Sequence, residues 1–315
     1  MSRAISWVVL SLGYLVLLLS TQVAFGAEKG LKTFQIQSGD RDRKYMVYQP
    51  PSYTADGQAA VVFALHGGGG HMEIQAEDKY YRFRSTADRH GFLVVFPNGS
   101  SRFPRSRLAT WNAGDCCAYA RDKKIDDVAF LKAVVKDLEK HYRFDAKKVF
   151  ATGMSNGGMM TYRLACEASD VFRAIAPVAG TDGMPVCQPG NTISIFHIHS
   201  RQDEQVLFLG GRGKEAAPAD VVTEFKSVPD TIAKWVKLNG CAEKPKRDTD
   251  TDKLKCDLYE GCRDGRQVRL CVTEDGGHSW PGGAKPRKRG PTPSTAIDAT
   301  EEIWKFFSRQ SSASR

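Results

Sequence analysis

Gly153-Met154-Ser155-Asn156-Gly157 places a serine between glycines at alternating positions. That G-x-S-x-G spacing suits a sharp, strained turn that lifts a hydroxyl clear of a sheet edge. A serine hydroxyl attacks a carbonyl only when a base takes its proton, so the pattern asks for a histidine and a carboxylate elsewhere. Among seven histidines, His278 alone combines a late position, a loop after a strand-like run and flanking glycines, in Asp275-Gly276-Gly277-His278-Ser279-Trp280. The carboxylate is assigned to Asp203, in His199-Ser200-Arg201-Gln202-Asp203, where it would fix the tautomer of His278 and stabilise the imidazolium. Asp182 is the rival, and Glu204, beside Asp203, is a weaker one. A negative charge developing on the carbonyl needs two N–H donors. His66-Gly67-Gly68-Gly69-Gly70 and the residue after the serine supply them, assigned to the Gly68 and Asn156 backbones, with Gly69 as the substitute for Gly68. This chemistry calls for no cofactor and no metal.

Such residues must be held by strand ends. Ala60 to Leu65 and Phe92 to Phe96 are short apolar runs of the kind covered on both faces of a sheet, and Lys148 to Thr152, Phe172 to Val178, Ile193 to His199 and Val268 to Val272 read as further strands. Tyr45 to Tyr48 reads as an earlier strand stopped by Pro50-Pro51. Between the runs, Val128, Leu131, Val134, Val135 and Leu138 recur at helical spacing within Asp126 to His141. Further helices are predicted from Asn156 to about Cys166, from Ser227 to Leu238 with Pro229 in the first turn, and from Asp298 to Phe307. Strands alternating with helices predict a mostly parallel sheet with helices on both faces. The serine, Asp203 and His278 each follow a strand, so all three belong on one edge.

An ordered set of motifs extends this reading. His66-Gly67-Gly68-Gly69, Phe96-Pro97-Asn98-Gly99, Trp111-Asn112-Ala113-Gly114 with Cys116-Cys117, Gly153 to Gly158, and Gly276-Gly277-His278-Ser279-Trp280-Pro281-Gly282-Gly283 resemble the polyhydroxybutyrate depolymerase-like secreted esterases. That group is similar to feruloyl and acetylxylan esterases, and the resemblance runs from about Lys44 to Phe307. It implies an α/β-hydrolase, one catalytic domain, a metal-free serine mechanism and an ester substrate, with Ser155, Asp203 and His278 in the roles above. One departure concerns the acid loop, where the family pattern is His-Gly-x-x-Asp followed by proline and an apolar-aromatic stretch. Here the loop is polar and charged, reading Ser200-Arg201-Gln202-Asp203-Glu204-Gln205. Substrate divides between hydroxyalkanoate esters and feruloyl or acetyl esters of plant polysaccharide. A noncatalytic polysaccharide-binding relative is the reading of another class.

Composition sets the compartment and the partners. The chain has 315 residues, 41% of them hydrophobic and 26% charged, which excludes a disordered protein. Arg3 precedes an apolar run from Trp7 to Leu19 and small residues at Ala24 and Gly26. At about 13 residues the run is too short to span a bilayer. It reads as a signal peptide over residues 1–26, with residues 27–315 as the catalytic domain, secreted or periplasmic. Eight cysteines without a CxxC pair read as disulfides. Adjacent Cys116 and Cys117 are each expected to reach Cys166 or Cys187, with Cys256 paired to Cys271 and Cys241 to Cys262. His197 and His199 alternate along one strand face and read as a buried, hydrogen-bonded pair, with metal ligation as the competing possibility.

The formal charge is +9, and loss of the leader removes Arg3 and leaves +8. Arg102, Arg105 and Arg107 and then Lys285, Arg287, Lys288 and Arg289 lie on loops at the presumed catalytic edge, a basic rim suited to anionic esters. No nucleic-acid motif accompanies the charge. Trp111 and Trp280 are placed on the same edge, where they could stack on an aromatic acyl group or a sugar. No stable membrane insertion is expected after leader removal, and the sequence sets no oligomeric state.

Overall fold

The computed structural model describes residues 30–103, 108–213, 224–286 and 290–310. The predicted leader, residues 1–26, lies outside them, as do Arg105, Arg107, Arg287, Lys288 and Arg289 of the predicted basic rim. The strands are β1 (Leu31–Ser38), β2 (Arg41–Tyr48), β3 (Val61–Leu65), β4 (Leu93–Pro97), β5 (Val149–Met154), β6 (Ala174–Val178), β7 (Ser194–Ser200), β8 (Lys246–Asp250), β9 (Leu254–Tyr259) and β10 (Val268–Thr273). The helices are α1 (Met72–Ala76), α2 (Asp78–Tyr81), α3 (Phe83–His90), α4 (Ala118–Asp122), α5 (Asp127–Leu138), α6 (Asn156–Glu167), α7 (Val228–Asn239) and α8 (Ala299–Gln310).

All ten strands form one sheet in the order β1-β2-β4-β3-β5-β6-β7-β10-β9-β8. The six central strands, β4, β3, β5, β6, β7 and β10, run parallel. Antiparallel strands close both edges: β2 and β1 beyond β4, and β9 and β8 beyond β10. The continuously apolar runs are the buried parallel strands, because helices cover both of their faces. One face packs on α5, α6 and α7 through residues such as Phe63, Ala151, Val134, Tyr162 and Trp235. The other packs on α1, α3 and α8 through Phe96, Phe150, Phe196, Phe83 and Phe307. The result is an α/β-hydrolase sheet in a single domain.

Local signals set the long helices. Asp126 caps α5, its side chain accepting from Ala129 N–H at 2.9 Å. Ser227 caps α7 by accepting from Asp230 N–H at 3.0 Å, and Gly240 ends that helix in the left-handed region.

A buried ion pair ties β2, next to the edge strand β1, to the helical layer. Arg43 on β2 donates to Asp127 at 2.7 Å and to the Asn98 carbonyl at 3.1 Å, while Asp127 also accepts from Asn112 N–H at 2.8 Å. The guanidinium carbon lies 3.8 Å from the centroid of the Phe130 ring. Removing one partner strands the other charge in the core, so Asp127→Ala should cost about 3–5 kcal/mol in urea unfolding. An unchanged midpoint would show that the pair contributes nothing.

The disulfides match the expected pairing only in the second half of the chain. Cys256 on β9 stands opposite Cys271 on β10 and is bonded to it, and Cys241 is bonded to Cys262. In the first half, Cys166 is bonded to Cys187, with Cα atoms 5.2 Å apart, well inside the usual range for a disulfide. Those two satisfy each other, so Cys116 and Cys117 are bonded together and neither reaches across as expected.

Candidate active site

Ser155 follows β5 and precedes α6. Its backbone sits at φ 55°, ψ −124°, a region costly for any residue with a Cβ, of order 1–3 kcal/mol. The turn persists because its surroundings hold it on both sides. Ser155 N–H donates to the Val178 carbonyl at the end of β6 at 2.8 Å. Close backbone approach leaves no room for side chains around it. A Cβ on Gly157 would run into the carbonyls of Leu65 and His66, the latter at 2.6 Å, and one on Gly180 would meet the carbonyl of Ser155 itself. None of those neighbours is a flexible side chain. Gly157→Ala should therefore fail to reach the native fold or lower Tm by 10 °C or more, a loss of several kcal/mol. A soluble variant with an unchanged melting curve would contradict this packing.

The glycine-rich loop after β3, the candidate oxyanion loop, is braced from beneath. Trp111 is wholly buried, and its Nε1 donates to the His66 carbonyl at 2.9 Å. The His66 ring tilts against that indole, with centroids 5.0 Å apart. Its Nε2 accepts from Gly99 N–H at 2.9 Å, which leaves Nδ1 to carry the proton and donate to the Gly67 carbonyl at 2.8 Å. Burial lowers the His66 imidazole to about 4 against the upward pull of that carbonyl, so the ring stays neutral and keeps this tautomer.

Hydrogen bonding within the loop separates the candidate donors. Gly69 N–H donates to the Ala109 carbonyl at 2.8 Å and is already engaged. Gly68 lies against Asn156, where an added Cβ would come 3.5 Å from that residue's own. The Asn156 side chain is locked by two bonds to the Trp111 backbone: its Oδ1 accepts from N–H at 2.7 Å, and its Nδ2 donates to the carbonyl at 2.9 Å. Its N–H stands in the first turn of α6, where helical N–H groups have no partner within the helix. The helix dipole adds to this preference for negative charge.

Asp203 and His278 are brought together directly. Nδ1–H of His278 donates to Oδ2 of Asp203 at 2.8 Å. The loop after β7 curls so that Oδ1 accepts from the N–H groups of Gln205 and Val206 at 2.9 and 2.8 Å. The loop bearing His278 is tied to the same strand, because Ser200 Oγ donates to the Asp275 carbonyl and accepts from Gly277 N–H. Burial alone would raise the Asp203 carboxyl. The facing His278 and the hydrogen bonds from His199 and His278 outweigh burial and hold the group well below the usual carboxylate range.

The Ser155 hydroxyl shares the C-terminal edge of the sheet with this pair, with β6 between its strand and that of Asp203 and β6 and β7 between its strand and that of His278, and among the described residues no hydrogen bond joins it to the imidazole. In hydrolases that bond is often long until substrate binds.

The other candidates lie elsewhere. Asp182 is buried, accepting from Trp235 Nε1 at 3.0 Å and pairing with Lys234 at 2.6 Å, away from His278. The expectation that Trp111 and Trp280 present their rings to substrate is corrected: Trp111 is 0% exposed and Trp280 3%. Trp280 donates from Nε1 to Thr300 at 3.0 Å and packs on Tyr81 and Phe83. Both rings are large enough that the cores beneath the edge absorb them. Arg102 and Lys285, the ends of the basic rim that lie within the described residues, are exposed. His197 and His199 are buried and stacked, with Nε2 of the first 3.0 Å from Nδ1 of the second. Among the described residues no group of three or more His, Cys, Asp or Glu is placed to hold a metal, and no helix is long and apolar enough to cross a membrane.

In the sequence His66 stands out only as part of a glycine-rich loop, and neither Tyr162 nor Gly180 lies in a run that marks a role for it. The support His66 gives depends on Gly99 and Trp111, which only the folded chain brings near it.

The sheet order and the edge that gathers Ser155, Asp203 and His278 define an α/β-hydrolase. Residues 43–237 match the family described as esterase PHB depolymerase, and the chain belongs to that family of carboxylic ester hydrolases. It is similar to a feruloyl esterase B of Piromyces equi, 29% identical over 245 residues that cover 75% of this chain and 42% of that protein. The chain thus corresponds to less than half of that relative's length. It is also similar to a probable feruloyl esterase C of Aspergillus flavus, 29% identical over 271 residues and 84% of each chain. The solved acetyl xylan esterase from Aspergillus awamori shares the fold, with a TM-score of 0.56 at 16% identity, over 79% of this chain and 94% of that one.

Proposed function

We propose that the chain is an exported serine carboxylesterase that works through an acyl-enzyme. Ser155 Oγ attacks the ester carbonyl as His278 Nε2 takes its proton. Asp203 holds the imidazole by Nδ1–H and stabilises the imidazolium. The N–H groups of Gly68 and Asn156 receive the oxyanion, each contributing on the order of 3 kcal/mol to the transition state. His278 then protonates the departing alcohol, and water activated by the same imidazole releases the acid. The observation that carries this reading is the 2.8 Å bond between His278 and a buried Asp203, on the same sheet edge as a serine in a strained strand–helix turn. Export is supported by the apolar N-terminal run and by the pairing of all eight cysteines in disulfides.

The similarity to feruloyl esterases favours hydroxycinnamoyl esters of plant polysaccharide over hydroxyalkanoate polyesters. Comparing kcat/KM on methyl ferulate, p-nitrophenyl acetate and hydroxybutyrate oligomers tests this. The expected order puts methyl ferulate ahead of the oligomers by at least about tenfold, or roughly 1.4 kcal/mol in the barrier. Equal or reversed preference would return the hydroxyalkanoate reading to first place.

A further inference from the structure

Strand alternation puts His197 and His199 of β7 on the face covered by α6 and α7, while Phe196 and Ile198 face α8. Tyr162 lies two turns along α6 from Ser155 and meets them there. Its hydroxyl is 2.7 Å from His197 Nδ1. His197 Nε2 is 3.0 Å from His199 Nδ1. His199 Nε2 is 2.8 Å from the Val206 carbonyl and 3.4 Å from Asp203 Oδ2, the oxygen that holds His278. All of these side chains are buried.

The proton positions along this chain follow from its acid end. A carbonyl and a carboxylate only accept, so His199 Nε2 must carry hydrogen. In a neutral ring its Nδ1 then accepts, and His197 Nε2 is the donor. His197 Nδ1 in turn accepts, and the only hydrogen left to fill it is the hydroxyl of Tyr162. Every polar atom has one role, and the direction runs from α6 to the acid loop without a gap. Burial, and after it the adjacent His199, holds the His197 imidazole well below its usual range, in keeping with a neutral ring. Burial likewise raises Tyr162, with Asp182 adding to the effect, so its hydroxyl keeps its proton. Tyr162 is itself held by Trp235, stacked at 5.9 Å and anchored on Asp182.

Resting on the serine-esterase reading, we propose that Tyr162, His197 and His199 are positioning residues for catalysis: a hydrogen-bond chain that aims one N–H at Asp203 and at the loop carrying it, and so fixes the carboxylate that orients His278. Val206 is gripped from two sides, its N–H by Asp203 and its carbonyl by His199. Losing the N–H of His199 frees the loop and the carboxylate together. Helix α6 thus carries the nucleophile at its start and the origin of this chain two turns later, coupling the two ends of the triad through one rigid element.

A double-mutant cycle on a soluble ester tests the proposal. His199→Leu is expected to lower kcat on the order of 10- to 100-fold, the scale of a misplaced catalytic group, with KM changed less than about twofold. In an Asp203→Ala background the same substitution should cost less than about twofold, because there is no carboxylate left to aim. His199→Gln, which can place an amide N–H near the site of Nε2–H, should recover most of the lost kcat. Tyr162→Phe should give a smaller loss that also vanishes with Asp203→Ala, and it serves if His199→Leu does not fold. A loss that persists undiminished in the Asp203→Ala background, one that falls on KM, or a failure of His199→Gln to recover would overturn the proposal. Fluorophosphonate labelling of Ser155 in the parent chain separates the two levels. Labelling with an uncoupled His199 or Tyr162 variant removes the relay alone. No labelling removes the serine reading and the relay with it.

Discussion

Replacing Ser155 by alanine should lower kcat on a soluble ester by roughly 10^5- to 10^6-fold, the loss seen when a triad nucleophile is removed. The change deletes one oxygen from the turn. Alanine meets the same backbone cost at φ 55°, and the hydrogen bond from its N–H to the Val178 carbonyl remains. Neither β5 nor α6 loses a contact, so Tm should move by no more than a few degrees. This separation of activity from stability distinguishes a nucleophile from a packing residue. A hydroxyl that merely capped the helix would show a stability loss of about 1 kcal/mol and little change in rate. Ser155 makes no capping hydrogen bond through its side chain, which places the whole expected effect on chemistry.

Asp203→Asn should reduce kcat by about 10^4-fold at neutral pH while leaving the fold intact. The carboxylate accepts three N–H groups in short bonds: His278 on Oδ2, and Gln205 and Val206 on Oδ1. An asparagine oxygen can satisfy the two backbone donors, but its NH2 then faces Nδ1 of His278 and favours the tautomer with hydrogen on Nε2. That tautomer cannot take the serine proton. Because Asp203 is held ionised far below neutral pH, the wild-type rate should show no acid limb of its own from this group. The variant should regain part of its rate at high pH, where hydroxide can substitute for the absent base. Equal rates for Asp203→Asn and the parent chain would return Asp182 to consideration, although its bonds to Trp235 and Lys234 hold it elsewhere.

The parallel core strands were legible where a strand buried on both faces is apolar along its whole length, as in Ala60 to Leu65 and Phe92 to Phe96. Helices α5 and α7 announced themselves through Asp126 and Ser227 at their starts. The edge strands were harder to read. β8 is Lys-Arg-Asp-Thr-Asp, almost wholly exposed, and carries no periodicity that would separate it from a loop. Helices α1, α2 and α3 are of five, four and eight residues, too short for a helical repeat to emerge.

In the site, Ser155, Asp203 and His278 could be named because each follows a strand end in a recognisable run. In the proposed oxyanion loop, Gly68 is assigned with Gly69 as its substitute, since only the bond from Gly69 to Ala109 in the folded chain separates them. Trp111 and Trp280 misled because a tryptophan beside a catalytic motif looks the same in sequence whether its ring faces outward or braces the loop from below. The Cys116–Cys117 bond was missed for a similar reason: the 5.2 Å approach of Cys166 to Cys187 is a property of the folded chain.

The most direct measurement is covalent labelling of the intact folded protein with a fluorophosphonate, followed by peptide mass mapping. One adduct per chain is expected, on the peptide bearing Ser155, formed in step with the loss of esterase activity and absent from Ser155→Ala. An adduct on another serine, or esterase activity that survives stoichiometric labelling, would contradict the serine-esterase reading.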